Sequence, residues 1–282
     1  MASFGGLPPF YSDKNTSGIV VIPVLYDATS TWIRGSAEGP SALIDASANM
    51  ELYDIETDSE VYKKGIYTDT PVIVNGEPGL MIAETRRRVS EWLEKGKFVV
   101  TLGGEHSVSI GATQAHVDHH PGICVLQLDA HTDLRQEYEG SIFNHACAMA
   151  RIREQAPVTQ VGIRSMDIEE KKYTEPGKIF YMEEMIKDPA WKQQVVETLG
   201  RDVYLTFDLD VLDPSIMPST GTPEPGGMDW YTTLGLIRAV VKQRNLVGFD
   251  LVELCPDKHN KAPDFLAAKL LYKILSYIFI KR

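Results

Sequence analysis

Short, almost unbroken apolar runs alternate with helical patterns along the whole of this 282-residue chain, and that alternation limits its fold more than any other feature. The strong runs are SGIVVIPVLY, GKFVVTLGG, GICVLQLDAH, VTQVGIRS, RDVYLTFDLD and NLVGFDLVEL; GIYTDTPVI and GKIFYM are weaker. A strand with one wet face alternates apolar and polar residues, whereas a strand covered on both faces does not need to. Between the runs lie helical segments such as GLMIAETRRRVSEWLEKG, whose Ile82, Val89, Trp92 and Leu93 share a face and which Gly96 ends. The others are SVSIGATQAHVDHH, DPAWKQQVVETLG, DWYTTLGLIRAVVKQRN and APDFLAAKLLYKILSYI. Alternating strand and helix predict an α/β fold with a mostly parallel sheet and helices on both faces. In such a sheet, sites form beyond the carboxyl ends of the strands. With no repeat or linker-like stretch, residues 1–282 read as one domain.

Composition removes several function classes. Lys plus Arg number 28 against 39 Asp plus Glu, a net charge of −11. That balance argues against nucleic-acid and anionic-membrane partners and suits a cationic small molecule. No apolar run reaches the about 18 residues of a membrane span, and MASFGGLPPFYSDKN has no basic and apolar leader pattern. The tail LLYKILSYIFI, interrupted by Lys273, reads as a terminal packing helix. Cys124, Cys147 and Cys255 are odd in number and far apart, as expected of reduced thiols in a cytoplasmic protein.

Four strand ends carry metal-type side chains. GICVLQLDAHTD closes on Asp129, His131 and Asp133, an Asp-x-His-x-Asp series directly after a buried run. DVYLTFDLDVLDP closes on Asp208 and Asp210, two like charges whose burial is costly without a neutralising cation. FVVTLGGEHS turns at Gly103-Gly104 and presents His106, taken alone either a ligand or incidental to a local cap by Glu105 or Ser107. VGFDLVELCP ends on Glu253, facing the same mouth or a surface partner. Taken together, His106, Asp129, His131, Asp133, Asp208 and Asp210 exceed a tetrahedral zinc set. Four carboxylates and two imidazoles suit two oxygen-preferring divalent ions, Mn(II) ahead of Mg(II). Two ions sharing a water bring its pKa towards neutrality.

The blocks GGEHS, DAHTD, FDLDVLDP and GTPEPGG together resemble the ureohydrolase family of arginases and agmatinases, in order and spacing, from about Leu25 onward. YDATSTWIRGSAEGPSALIDAS, ELYDIETD, FNHACAMARI and VGIRS look like the agmatinase branch. The resemblance implies a three-layer α/β/α sandwich around a sheet of about eight strands, two Mn(II) per chain, and a homotrimer or homohexamer. By motif match Asp129 and Asp208 bridge both ions. His106 and Asp133 complete one coordination sphere, His131 and Asp210 the other. The family's proton-shuttling histidine falls on His145 and its guanidinium-binding carboxylate on Glu253. Thr206 and Asn144 depart from the family's usual residues without removing a ligand.

The implied reaction releases urea from a cationic guanidino compound. Agmatine, giving putrescine, stands first; aminopropylagmatine, guanidinobutyrate and arginine are the alternatives, followed by a single-zinc deacetylase or a silent metal binder. Glu137 and Glu139 are candidates to meet a substrate ammonium, with Arg135 nearby pulling the other way. The cluster His116, Asp118, His119 and His120 reads as a helix end away from the strand-end mouth. Arg86-Arg87-Arg88 reads as a solvated face or subunit contact, Cys147 as no nucleophile, and Trp230 and Tyr231 as helix-start packing.

Overall fold

The structure is a computed structural model and describes residues 3–279. Its strands are β1 (Ile19–Leu25), β2 (Ile66–Thr68), β3 (Val72–Ile73), β4 (Phe98–Leu102), β5 (Cys124–Leu128), β6 (Val158–Ile163), β7 (Ile179–Tyr181), β8 (Asp202–Asp208) and β9 (Asn245–Val252). The helices are α1 (Gly39–Ser47), α2 (Pro78–Leu93), α3 (Val108–His119), α4 (Ala148–Ile152), α5 (Met182–Met185), α6 (Trp191–Thr198), α7 (Trp230–Gln243) and α8 (Ala262–Phe279).

The strands form one nine-stranded sheet in the order β2-β1-β4-β9-β8-β5-β6-β7, with β3 also paired to β1. Every strand pairing is parallel. The predicted sheet of about eight strands becomes nine because GIYTDTPVI divides into β2 and β3. Pro71 has no N–H to give the ladder, and the Asp69 carboxylate turns to Arg88 at 2.6 Å and to the Trp92 indole at 2.8 Å.

Side chains alternate between the two faces as the pleat requires. In β1, Ile19 and Val21 pack with Leu43 and Ile44 of α1 and with α8, while Val20, Ile22 and Val24 pack with Met81 and Ile82 of α2. The predicted inner face of α2 is buried, with Ile82, Val89, Trp92 and Leu93 all in the core. The second face also holds α3 and α4, and the first also holds α6 and α7. Crossovers that step towards β7 use one face and those that step back use the other, as right-handed connections demand. The chain passes from β4 to β5 over two positions that β8 and β9 later fill. This reversal makes the adjacent carboxyl ends of β4, β9, β8 and β5 the switch point where a ligand crevice opens.

The sequence reading left α1 and the short α4 and α5 without helical assignments. The terminal packing helix appears as α8, although Ile280 lies outside the described residues. Lys273, which breaks the apolar tail, is itself buried, 3.0 Å from Asp54 and 2.6 Å from Glu56. Among the described residues no helix is long and apolar enough to cross a membrane.

The histidine-rich end of α3 is built for packing. His116 is fully buried, bonds the Ala112 carbonyl through Nδ1 at 2.8 Å, and lies 4.5 Å from the Tyr204 ring. Gly248 leaves it room, since a Cβ there would overlap its ring. Asp118 pairs with Arg86 at 2.6 Å, and Arg88 with Asp69, so the arginine run is held within the chain. Burial pushes the His116 pKa down to about 3. The unfolded chain therefore takes up a proton near pH 6.5 that folded His116 refuses, and stability present above pH 6.5 is lost as pH falls towards 3. In urea unfolding at pH 7, 5.5 and 4.5, His116→Gln should flatten the decline by up to about 1.4 kcal/mol per pH unit. An unchanged slope would show that His116 contributes nothing to acid sensitivity.

Candidate metal centre

Each ligand-type residue reaches the crevice through a local feature of its strand end. After β4 the chain turns at Gly103 and Gly104. A Cβ at Gly104 would overlap the Tyr26 carbonyl, so only glycine lets the backbone pass there. Asp133 and Glu253 both adopt left-handed backbone, at φ 52° and 67°, which a non-glycine residue holds only when its surroundings impose it. Ala150 N–H donates to the Asp133 carbonyl at 3.0 Å and Glu253 N–H to the Gly104 carbonyl at 2.7 Å, fixing both.

The six predicted ligands come together at this crevice. His106 Nδ1 lies 3.0 Å from Asp129 Oδ2, 3.0 Å from Asp133 Oδ2 and 3.2 Å from Asp208 Oδ2. His131 Nδ1 lies 2.9 Å from Asp210 Oδ2 and 3.6 Å from Asp129 Oδ1. Two groups able to hold an ion result, His106–Asp129–Asp208 and Asp129–His131–Asp210, and Asp129 belongs to both. Asp208 joins the His106 group through Oδ2, while its Oδ1 accepts the Asp210 N–H at 2.8 Å.

Hydrogen bonds behind these groups settle which atoms face the crevice. Thr206 donates its hydroxyl to Asp250 at 2.8 Å, which leaves its oxygen to accept from His106 Nε2 at 2.9 Å. His106 Nδ1 therefore carries a lone pair. It is buried, has no hydrogen-bond partner, and faces three carboxylate oxygens. A lone pair among anions is repulsive, and a bound cation would remove that repulsion, so the donor set fits a metal ion. The carboxyls respond as their crowding demands. Burial and the neighbouring Asp210 and Asp129 charges drive Asp208 well above the usual carboxylate range, and burial beside Asp129 raises Asp133.

A buried polar row supports the ligands from below. Thr101, Asp250, Thr206, Gln127 and Gln160 stand side by side in register on β4, β9, β8, β5 and β6. Tyr204 donates to Asp250 at 2.7 Å, Gln127 to Asp129 at 2.7 Å, and Gln160 to Gln127 at 2.6 Å. The sequence reading missed this row. Its signal is a buried polar residue inside each of five otherwise apolar runs.

The remaining candidates line a cleft of about 280 Å³ above the ligands. Glu253 is buried. Its Oε1 accepts the His106 N–H at 2.8 Å, and burial beside Glu105 raises its pKa well above the ordinary value. His145 N–H donates to the Thr29 hydroxyl at 2.9 Å and its Nδ1–H to the Thr29 carbonyl at 2.8 Å, leaving Nε2 as the acceptor. Burial pushes the His145 pKa down to about 4, below the ordinary imidazole value. Asn144 caps the turn by accepting the Ala146 N–H at 3.1 Å. Arg135, Tyr138, Asp167 and Glu170 form part of the lining. Glu137 and Glu139 do not: both are exposed, a correction to their proposed contact with a substrate ammonium. Cys147 is buried with its thiol pKa pushed up to about 11, which leaves it unreactive.

Fold and site together define a hydrolase of the ureohydrolase type. The chain belongs to the arginase family, whose sequence pattern matches residues 17–276. It is 37% identical over 272 residues to the N(1)-aminopropylagmatine ureohydrolase of Synechocystis, covering 93% of this chain and 89% of that one. It is 36% identical over 274 residues to an enzyme of the same name from Thermus thermophilus, covering 93% and 92%. The crystal structure of the agmatine ureohydrolase of Thermoplasma volcanium superposes with a TM-score of 0.85 at 29% identity, over 94% of this chain and 91% of that one.

Outer partners that orient a metal-binding histidine typically contribute about 10–100-fold to metal affinity. Thr206→Val should weaken Mn(II) binding by that factor in isothermal titration, whereas Thr206→Ser should retain most of it. Equal affinity in Thr206→Val and the parent would show that Thr206 does not orient His106.

Proposed function

We propose that this chain is a binuclear manganese amidinohydrolase that releases urea from a linear guanidino amine, with N(1)-aminopropylagmatine its leading substrate and agmatine the second. The observation that carries the reaction is the pair of ligand groups sharing Asp129 beneath a cleft that also presents Glu253 and His145. Imidazole among carboxylates favours Mn(II) over Mg(II). His106, Asp129, Asp133 and Asp208 would hold one ion and Asp129, Asp208, His131 and Asp210 the other. When bound, the two ions would supply a water nucleophile of lowered pKa.

The chain's own residues supply binding and proton transfer. Glu253 has one oxygen engaged by the His106 N–H, and its free Oε2 accepts guanidinium N–H bonds, orienting the carbon for attack. Its burial strengthens that charged contact. His145 is neutral near pH 7 and, through Nε2, takes a proton from the attacking side and returns it to the departing amine. Water adds across the guanidine carbon, the C–N bond to the chain breaks, and urea and the free amine leave. Aminopropylagmatine would give spermidine; agmatine would give putrescine.

One observation supports the longer substrate: the relatives named above at 36–37% identity are aminopropylagmatine ureohydrolases. Agmatine, first in the sequence reading, is favoured by the likeness to the Thermoplasma enzyme. The same reading treats the chain as one catalytic unit that works in the cytoplasm as a homotrimer or homohexamer.

A urea assay on manganese-loaded protein tests the assignment with aminopropylagmatine, agmatine, guanidinobutyrate and arginine side by side. Aminopropylagmatine should exceed agmatine in kcat/KM. The two carboxylate-bearing compounds should fall far below both, since their charge meets an acidic cleft. Glu253→Gln should keep its metal and lose about a hundredfold in urea release, the scale of a charged hydrogen-bond pair. Faster turnover of agmatine transfers the assignment to the second reading, and no urea from any of the four ends it.

A further inference from the structure

In the segment VGIRS, Arg164 directly follows β6, and its guanidinium is spent on main-chain carbonyls. Nη2 donates to Asp210 O at 2.6 Å and Glu224 O at 2.8 Å. Nη1 donates to Gly162 O at 3.1 Å and Val211 O at 3.4 Å, and Nε to Pro225 O at 3.1 Å and Glu224 O at 3.3 Å. Gly227 leaves it space, since a Cβ there would come within 2.8 Å of Nη2. Its main-chain N–H donates to Ala130 O at 2.9 Å. One side chain therefore ties together the end of β6, the turn that carries Asp210, and the GTPEPGG loop.

The side-chain attachments converge on one half of the metal centre. Asp210 is a ligand candidate of the Asp129–His131–Asp210 group only. Glu224, whose carbonyl Arg164 holds, brings Oε1 to 3.8 Å from His131 Nε2, the nitrogen of that ring turned away from the ligand group. None of the Arg164 hydrogen bonds reaches His106, Asp133 or Asp208. The five N–H groups of a planar guanidinium can satisfy several carbonyls at once, which a single ammonium cannot match.

We propose that Arg164 is a positioning residue that sets the affinity of the second metal position, the one that His131 and Asp210 complete, and leaves the position around His106 largely unaffected. The inference rests on the two-ion reading given above. Losing the guanidinium frees the Asp210 turn and the Glu224 loop together, so the chain changes from a two-ion to a one-ion protein at limiting manganese.

The test is a Mn(II) titration of the metal-stripped full-length chain, followed by loss of the free-ion electron paramagnetic resonance signal, without substrate. The parent should bind two ions. Asp210→Ala, which removes the second position outright, gives the one-ion reference. Arg164→Met should approach that reference, its second dissociation constant raised about 10–100-fold and its first within about threefold of the parent. Arg164→Lys should fall between, and it carries the comparison if the Met variant does not fold. Parallel weakening of both positions, or no change at either, in the folded variant would overturn the proposal. A parent that binds only one ion would instead overturn the two-ion reading, and this inference with it.

Discussion

The crowding of four buried carboxylates in one crevice is the constraint around which the rest of the molecule is arranged. Asp129, Asp208 and Asp210 are almost wholly buried and Asp133 nearly so, and like charges this close cannot all stay ionised in low dielectric unless cations are shared among them. Asp129 holds the arrangement together, because its two oxygens face His106 and His131 separately. The parallel sheet serves this arrangement by placing four adjacent strand ends at one switch point. The left-handed backbone of Asp133 and Glu253 aims side chains that an ordinary strand exit would turn elsewhere.

Behind the charges lies the hydrogen-bonded row that prevents them from relaxing apart. Thr206 fixes the tautomer of His106, and Gln127 holds Asp129 from the side opposite the His131 N–H, which Asp129 also accepts at 2.6 Å. Parallel register makes such a row possible, since it brings equivalent positions of neighbouring strands side by side. His145 is set in the same way. The Thr29 carbonyl takes its Nδ1 proton, and Nε2 is left for chemistry. Preorganisation of this kind means that little has to move when charge develops during a reaction.

How much of this the sequence discloses depends on whether a feature is local. Asp129, His131 and Asp133 stand out because three metal-type residues directly follow an apolar run, and Asp208 and Asp210 for the same reason. The strands were legible through their unbroken hydrophobicity, except where Pro71 divides one into two. The polar row was not read, because a lone Thr206 or Gln127 inside an apolar run resembles noise until register places it beside Asp250 and Gln160. Arg164 escaped notice because its partners are main-chain carbonyls, which no residue type announces. Glu137 and Glu139 misled for the converse reason. Their charge is evident in the sequence, but the direction of the loop that turns them to solvent is not.

On the two-ion reading proposed above, Asp129 joins both ion positions into one centre. Diffraction from manganese-loaded crystals, recorded at the manganese absorption edge, tests it most directly. Two anomalous peaks should flank Asp129, one against His106, Asp133 and Asp208 and the other against His131 and Asp210. A solitary peak, or a pair in which neither lies next to Asp129, would contradict that reading.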